Sequence, residues 1–156
     1  MSDSLPRTGR LAGIDYGTVR IGIAITDPAQ SLASPLEILT RRDKFQDERY
    51  FVRLAEQERL AGFVVGLPVH TSGEESQKSF EAREFAKWLG EATKLPVCLY
   101  DERYSTAQAE SLLQDAGLTS KRRKERRDML AAQILLAAYL ESGRSAEPPG
   151  ALEDRK

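Results

Sequence analysis

Apolar positions along this chain switch between a period of two and a period near 3.6, and the switching predicts an α/β fold. Arg10 to Asp15 (RLAGID) is a short apolar run that ends on a carboxylate. Tyr16-Gly17-Thr18 reads as a turn. In Arg20 to Asp27 isoleucines at 21, 23 and 25 alternate with small residues, so the two runs form a hairpin of strands. Ser34 to Leu39 is a third strand, at an edge, because Pro35 cannot donate to a central ladder. Residues 44–59 are helical, with Phe45, Phe51, Val52, Leu54 and Ala55 on one face. Ala61 to Leu67 is apolar throughout, as in a strand buried on both sides, and Pro68 ends it.

The second half repeats the alternation. Ser72-Gly73-Glu74-Glu75 has the spacing of a capping box and opens a long helix whose apolar face carries Phe85, Trp88 and Leu89. Pro96 to Asp101 is a strand that again ends in acid. Ser105-Thr106-Ala107-Gln108 is a second capping box, with Gly117 as the stop of its helix. The basic run Lys121 to Arg127 leads into Asp128 to Leu140, a helix apolar almost all round and therefore well buried, which Gly143 stops. The order β-β-β-α-β-α-β-α-α implies a mixed sheet covered by helices. Residues 1–9 and 143–156 read as flexible tails around one domain, 10–142.

Composition narrows the chemistry. Hydrophobic residues are 40% and charged residues 30% of 156, the balance of a folded soluble protein. One cysteine, Cys98, excludes a disulfide framework and a cysteine-built zinc site; it reads as a buried small apolar side chain. One histidine, His70, argues against a Ser-His-Asp triad and most histidine metal sites, and reads as a loop residue. No apolar run approaches the ~20 residues that span a bilayer, and Met1 to Gly9 lacks a signal-like apolar segment, so the expected location is cytoplasmic and no membrane partner is expected. Net charge is -1, yet Lys121 to Arg127 holds six cations and one anion. That asymmetry favours a local phosphate-binding patch; the alternative is a solvated face.

Carboxylates at strand ends are the remaining signal. Asp15 ends the first strand, Asp101 and Glu102 end the last, and Asp128 opens the final helix. In open α/β sheets, sites form beyond the carboxyl ends of parallel strands. Acids converging there bind hard divalent cations through oxygen, and two such ions ~3.5–4 Å apart support phosphodiester hydrolysis. Each acid also has a plain structural reading: Asp15 as a turn residue, Asp101 and Glu102 as surface partners of Arg103, and Asp128 as a complement to its helix dipole. Gly66-Leu67-Pro68-Val69-His70 leaves the middle strand at the same edge, where its backbone can line the crevice.

GIDYGTVRIGIAITD (13–27), GLPVHTSG (66–73), DERYSTAQAE (101–110) and RRDMLAAQILLAAYL (126–140) together resemble the YqgF-type family. These are pre-16S rRNA nucleases, also described as Holliday-junction-resolvase-like, of the RNase H-like superfamily. The resemblance spans residues 10–142 in the family's order and spacing. It implies an RNase H-like sheet, order 3-2-1-4-5 with only strand 2 antiparallel. It also implies catalytic, metal-holding acids at Asp15, Glu102 and Asp128, with two Mg²⁺ or Mn²⁺ ions as cofactors. Arg103, Ser105 and Thr106 would shape the site or touch phosphate, and Gly17 and Thr18 would shape the first turn. Lys121, Arg122, Arg123, Lys124, Arg126 and Arg127 are the candidate grip on flanking phosphates, and Gly66, Pro68 and His70 belong to the site-shaping loops. The family commonly has Asn where this chain has His70.

The function so implied is a metal-dependent endonuclease maturing the 5′ end of pre-16S rRNA, with structured RNA or a pre-ribosomal particle as partner, as monomer or homodimer. A branched-DNA resolvase keeps the chemistry and changes the substrate; a non-catalytic RNA-binding assembly factor keeps the partner and drops the chemistry. An actin-like ATPase shares the Asp-x-Gly-Thr turn but needs a second domain and a second phosphate loop, and 156 residues hold neither.

Overall fold

The computed structural model describes residues 5–68, 76–102 and 119–142, without the side chains of 123–126, 128 and 129. Strands β1 (Arg10–Asp15), β2 (Arg20–Thr26), β3 (Ala33–Thr40), β4 (Leu60–Leu67) and β5 (Val97–Asp101) form one sheet in the order β3-β2-β1-β4-β5. Pairs β1–β2 and β2–β3 are antiparallel, whereas β1–β4 and β4–β5 are parallel. Only β2 therefore runs against the rest, as expected. Helices α1 (Lys44–Gln57), α2 (Gln77–Thr93) and α3 (Ser120–Glu141) complete the described elements.

Alternation along the strands sorts the core into two layers. Leu11, Ala24, Val64, Cys98 and Tyr100 pack beneath α3 with Ala132, Leu135, Leu136 and Tyr139. Ala12, Ile14, Ile21, Ile23, Phe63 and Val65 point the other way and pack against Phe51 and Leu54 of α1 and Phe85 and Leu89 of α2. Strand β4 contributes to both layers, which is why its sequence shows no polar alternation. Phe51 sits edge-on to Phe63, Phe85 and Trp88, with centroids 5.8–6.4 Å apart, and joins the two helices to the sheet. Edge strand β3 tolerates Pro35 because a bulge lies there: Ile23 pairs with Glu37 and Ala24 with Pro35, skipping Leu36.

The hydrophobic pattern misplaces several details. Phe45 belongs to solvent, 80% exposed, because it lies in the first turn of α1, before the helix meets the sheet. The N-cap of α2 is Ser76, whose hydroxyl accepts from Ser79 N while Ser79 Oγ accepts from Ser76 N. The Ser72–Glu75 box lies outside the described residues. Residues 5–9 are not a loose tail: Leu5 is buried in the α3 layer, and Gln30 Nε2 donates to the carbonyls of Pro6 and Gly9, each at 2.9 Å. The last helix starts eight residues before Asp128. Thr119 caps it by accepting from Arg122 N, and the basic run forms its opening turns. Lys and Arg are good helix formers, so a cationic stretch after a Thr cap continues into helix rather than remaining loop. Ser105–Gln108, Gly117 and Gly143 lie outside the described residues.

Candidate active site

Register brings the acids to one edge of the sheet. Ile14 pairs with Val65, and Gly66 with Tyr100, so Asp15, Gly66 and Tyr100 lie level on three adjacent strands. All three share the parity of Leu11, Val64 and Cys98 and so fall on the α3 side. Glu102 follows the end of β5 and folds back over β4: a Cβ on residue 66 would collide with its carboxylate. Glycine at 66 is thus what admits the Glu102 carboxylate to the centre of the edge.

This placement has an electrostatic signature. Burial, then the charge of Asp15, then that of Asp101, push the Glu102 carboxyl up to about 7, while Lys78 pulls the other way. Two carboxylates held together in partial burial resist simultaneous ionisation. Asp101 itself is 1% exposed, so it is no surface partner.

Asp15 also lines a cleft of about 490 Å³ with Gly17, Thr18, Arg20, Pro68 and Lys78. The turn after Asp15 is tightly held. A Cβ on Gly17 would collide with the carbonyl of Arg20. Arg41 grips the same turn from outside: its backbone N donates to Val19 O at 2.9 Å, and its Nη1 donates to Tyr16 OH at 3.2 Å. Its guanidinium stacks over the rings of Tyr16 and Phe85 and pairs with buried Asp47 at 3.3 Å. Neither Lys78 nor Arg41 stands out in the sequence, because each acquires its place only through tertiary packing.

Helix α3 lies directly on β1. A Cβ on Gly13 would come within 2.9 Å of Leu136 Cβ and 3.1 Å of Ala132 O. Residue 128 lies on α3 one turn before Ala132, which packs on the sheet with Leu135, Leu136 and Tyr139. As the ninth residue of α3 it lies too far along to serve the helix dipole, which acts in the first turn. Among the described residues no three His, Cys, Asp or Glu side chains form a ready metal-ligating group. Lys121, Arg122 and Arg127 are exposed on the opening turns of α3. Arg123, Lys124 and Arg126 share those turns, without described side chains. Arg103, Ser105, Thr106 and His70 lie outside the described residues.

An open mixed sheet of order 3-2-1-4-5 with acids gathered at the ends of β1 and β5 defines the RNase H-like class. Among solved structures, RuvC of Thermus thermophilus in complex with a Holliday junction substrate aligns at TM-score 0.57 with 17% identity, covering 88% of this chain and 98% of that one. That likeness establishes the fold. Residues 9–142 match the family model RuvX, described as Holliday junction resolvase. A protein of Rhodopirellula baltica named "Putative pre-16S rRNA nuclease" is 51% identical over 142 residues, 91% of this chain and 82% of that one. A Rhodobacter capsulatus protein of the same name is 41% identical over 139 residues, covering 88% and 87%. The chain belongs to the RuvX family. Among its described residues, no helix is long and apolar enough to cross a membrane.

Proposed function

We propose that this protein is a metal-dependent endonuclease that hydrolyses phosphodiester bonds in the 5′ precursor of 16S rRNA. The observation that carries the reading is the meeting of Asp15 and Glu102 over Gly66 at the open edge of an RNase H-like sheet. The names of the relatives, which cover nearly the whole chain, support the RNA substrate. Such a substrate places the work in the cytoplasm.

The donor chemistry fits a hard divalent cation. The carboxylates are oxygen donors, and their mutual repulsion leaves a deficit of positive charge at the sheet edge. Asp15, Glu102 and Asp128 would hold Mg²⁺ or Mn²⁺, as two ions. Ions held there would supply Lewis acidity, activating water and stabilising the leaving oxygen. The remaining work falls to the chain. Gly17 and Arg41 fix the turn that presents Asp15, and Gly66 leaves room for Glu102. Lys78, which lines the Asp15 cleft, offsets the charge of a bound phosphate. Arg103, Ser105 and Thr106 shape the site, and the cations of Lys121 to Arg127 hold flanking phosphates.

Branched DNA is the second reading, favoured by the family's own description. It requires symmetric cutting of two strands and therefore a two-fold dimer. Three labelled substrates decide between them: a 16S precursor fragment, a four-way DNA junction and a linear duplex, each with Mg²⁺, Mn²⁺ or EDTA. Cutting of the precursor that Asp15→Asn abolishes supports the nuclease. Paired symmetric cuts in the junction by a sedimenting dimer support the resolvase. Binding without cutting of any substrate refutes both and leaves a non-catalytic assembly factor.

A further inference from the structure

A second groove, of about 480 Å³, lies where edge strand β3 meets α1. Arg42, Arg49 and Arg53 line it, and all three are exposed. Its two acids are engaged within the protein. Glu37 accepts from the Tyr50 hydroxyl, and Asp47 is buried against Arg41. The groove therefore presents three cations outward with its anions already committed.

The groove borders the Asp15 cleft across the β3 edge, where Ile38 lines both. Asp15 pairs with Gly22 and Gly22 with Ile38, one row across three strands. At ~4.8 Å per strand, Ile38 lies roughly 10 Å from Asp15. Arg49 and Arg53 are four residues apart on α1, which is about 6 Å of helix. Phosphates of one strand recur every ~3.4 Å along a duplex axis, so this spacing suits a repeating anion better than a single phosphate.

We propose that Arg42, Arg49 and Arg53 bind the sugar-phosphate backbone of the nucleic acid on one side of the bond to be cut, leading it over the β3 edge into the Asp15 cleft. This rests on the nuclease reading and extends it: the substrate is held on two faces of the sheet edge, by α1 as well as α3.

The test uses the full chain carrying Asp15→Asn, so that bound substrate stays intact. Dissociation constants for an RNA stem-loop and a four-way DNA junction are measured by anisotropy across a KCl series. Arg42, Arg49 and Arg53 are changed together to Gln, and in a second variant together to Lys. The Gln variant should reduce the slope of log affinity against log salt by about 2–3, since each lost phosphate contact contributes ~0.7–0.9. The Lys variant should keep most of that slope, which excludes misfolding as the cause. The probe that loses slope identifies RNA or DNA as the occupant. In the chain with Asp15 intact, the Gln variant should raise KM and leave kcat unchanged. An unchanged slope on both probes overturns this proposal alone. Failure of the Asp15→Asn chain to bind either probe overturns the nuclease reading and this one with it.

Discussion

Replacing Glu102 by Gln should stabilise the metal-free protein, by a margin that grows from pH 4.5 to 7 and is constant above. The Glu102 carboxyl sits over Gly66, partly buried beside Asp15 and Asp101, and its pKa is raised from 4.5 to about 7. A raised carboxyl pKa means the folded state holds the proton more tightly than the unfolded chain. Between pH 4.5 and 7 the native protein binds more protons, so stability falls as pH rises and is flat above that window. At about 1.36 kcal/mol per pKa unit, the loss at pH 8 approaches roughly 3 kcal/mol as a ceiling. Gln cannot ionise and escapes it. Thermal unfolding in EDTA at pH 4.5 should find the two proteins nearly equal; at pH 8 the variant should melt higher by roughly 6–12 °C. Saturating Mn²⁺ should reverse the order at pH 8, because the wild-type carboxylate then gains an opposite charge. A variant that melts higher by the same margin at both pH values would refute the electrostatic account and leave only a packing effect.

Other expectations follow from contacts described above. Gly66→Ala should displace the Glu102 carboxylate and weaken Mn²⁺ binding on the order of tenfold, measured by calorimetry. Lys78→Gln removes the cation that opposes the raised Glu102 pKa, so an NMR titration should find that pKa higher still. Gly13→Ala puts a methyl against Leu136 and Ala132 and should cost about 1–3 kcal/mol in urea unfolding. Arg41→Ala strips buried Asp47 of its cationic partner, leaving it the Arg42 N–H, and should cost about 3 kcal/mol, with a larger loss of activity at limiting metal than at saturating metal. Arg122 and Arg127 changed to Gln should weaken nucleic-acid binding and flatten its salt dependence by about one unit of slope per lost contact.

Much of the sheet was legible because its strands carry their own signals. Isoleucines 21, 23 and 25 alternate in β2, β4 is apolar throughout, and Pro35 marks an edge. The strand order is harder: local patterns imply a mixed sheet, and only the four-motif resemblance supplied 3-2-1-4-5. Helix starts were the weakest point. Ser72 and Ser76 both precede plausible first turns, and the cap that forms uses Ser79 rather than a Glu at the third position. The head of α3 looks like loop because charge masks its period, although Thr119 stands at its start. Arg41 and Lys78 could not be singled out, because one is defined by Tyr16, Phe85 and Asp47, and the other by Asp15 and Glu102. Leu5 hid in a polar stretch for a related reason: a lone apolar residue has no periodicity to show.

The contact between Gly13 and Leu136 also has a consequence in time. It joins the first strand to the last described helix across about 120 residues, a closure that forms late because of its chain entropy. During synthesis β1 emerges from the ribosome long before α3. Asp15 is therefore made well before residue 128, which can reach the sheet edge only once α3 is out. A nascent chain halted before Ser120 holds two of the three candidate acids, and it should leave nearby RNA uncut. Completion of the candidate site thus waits on a contact between segments far apart in the chain, rather than on β1 alone.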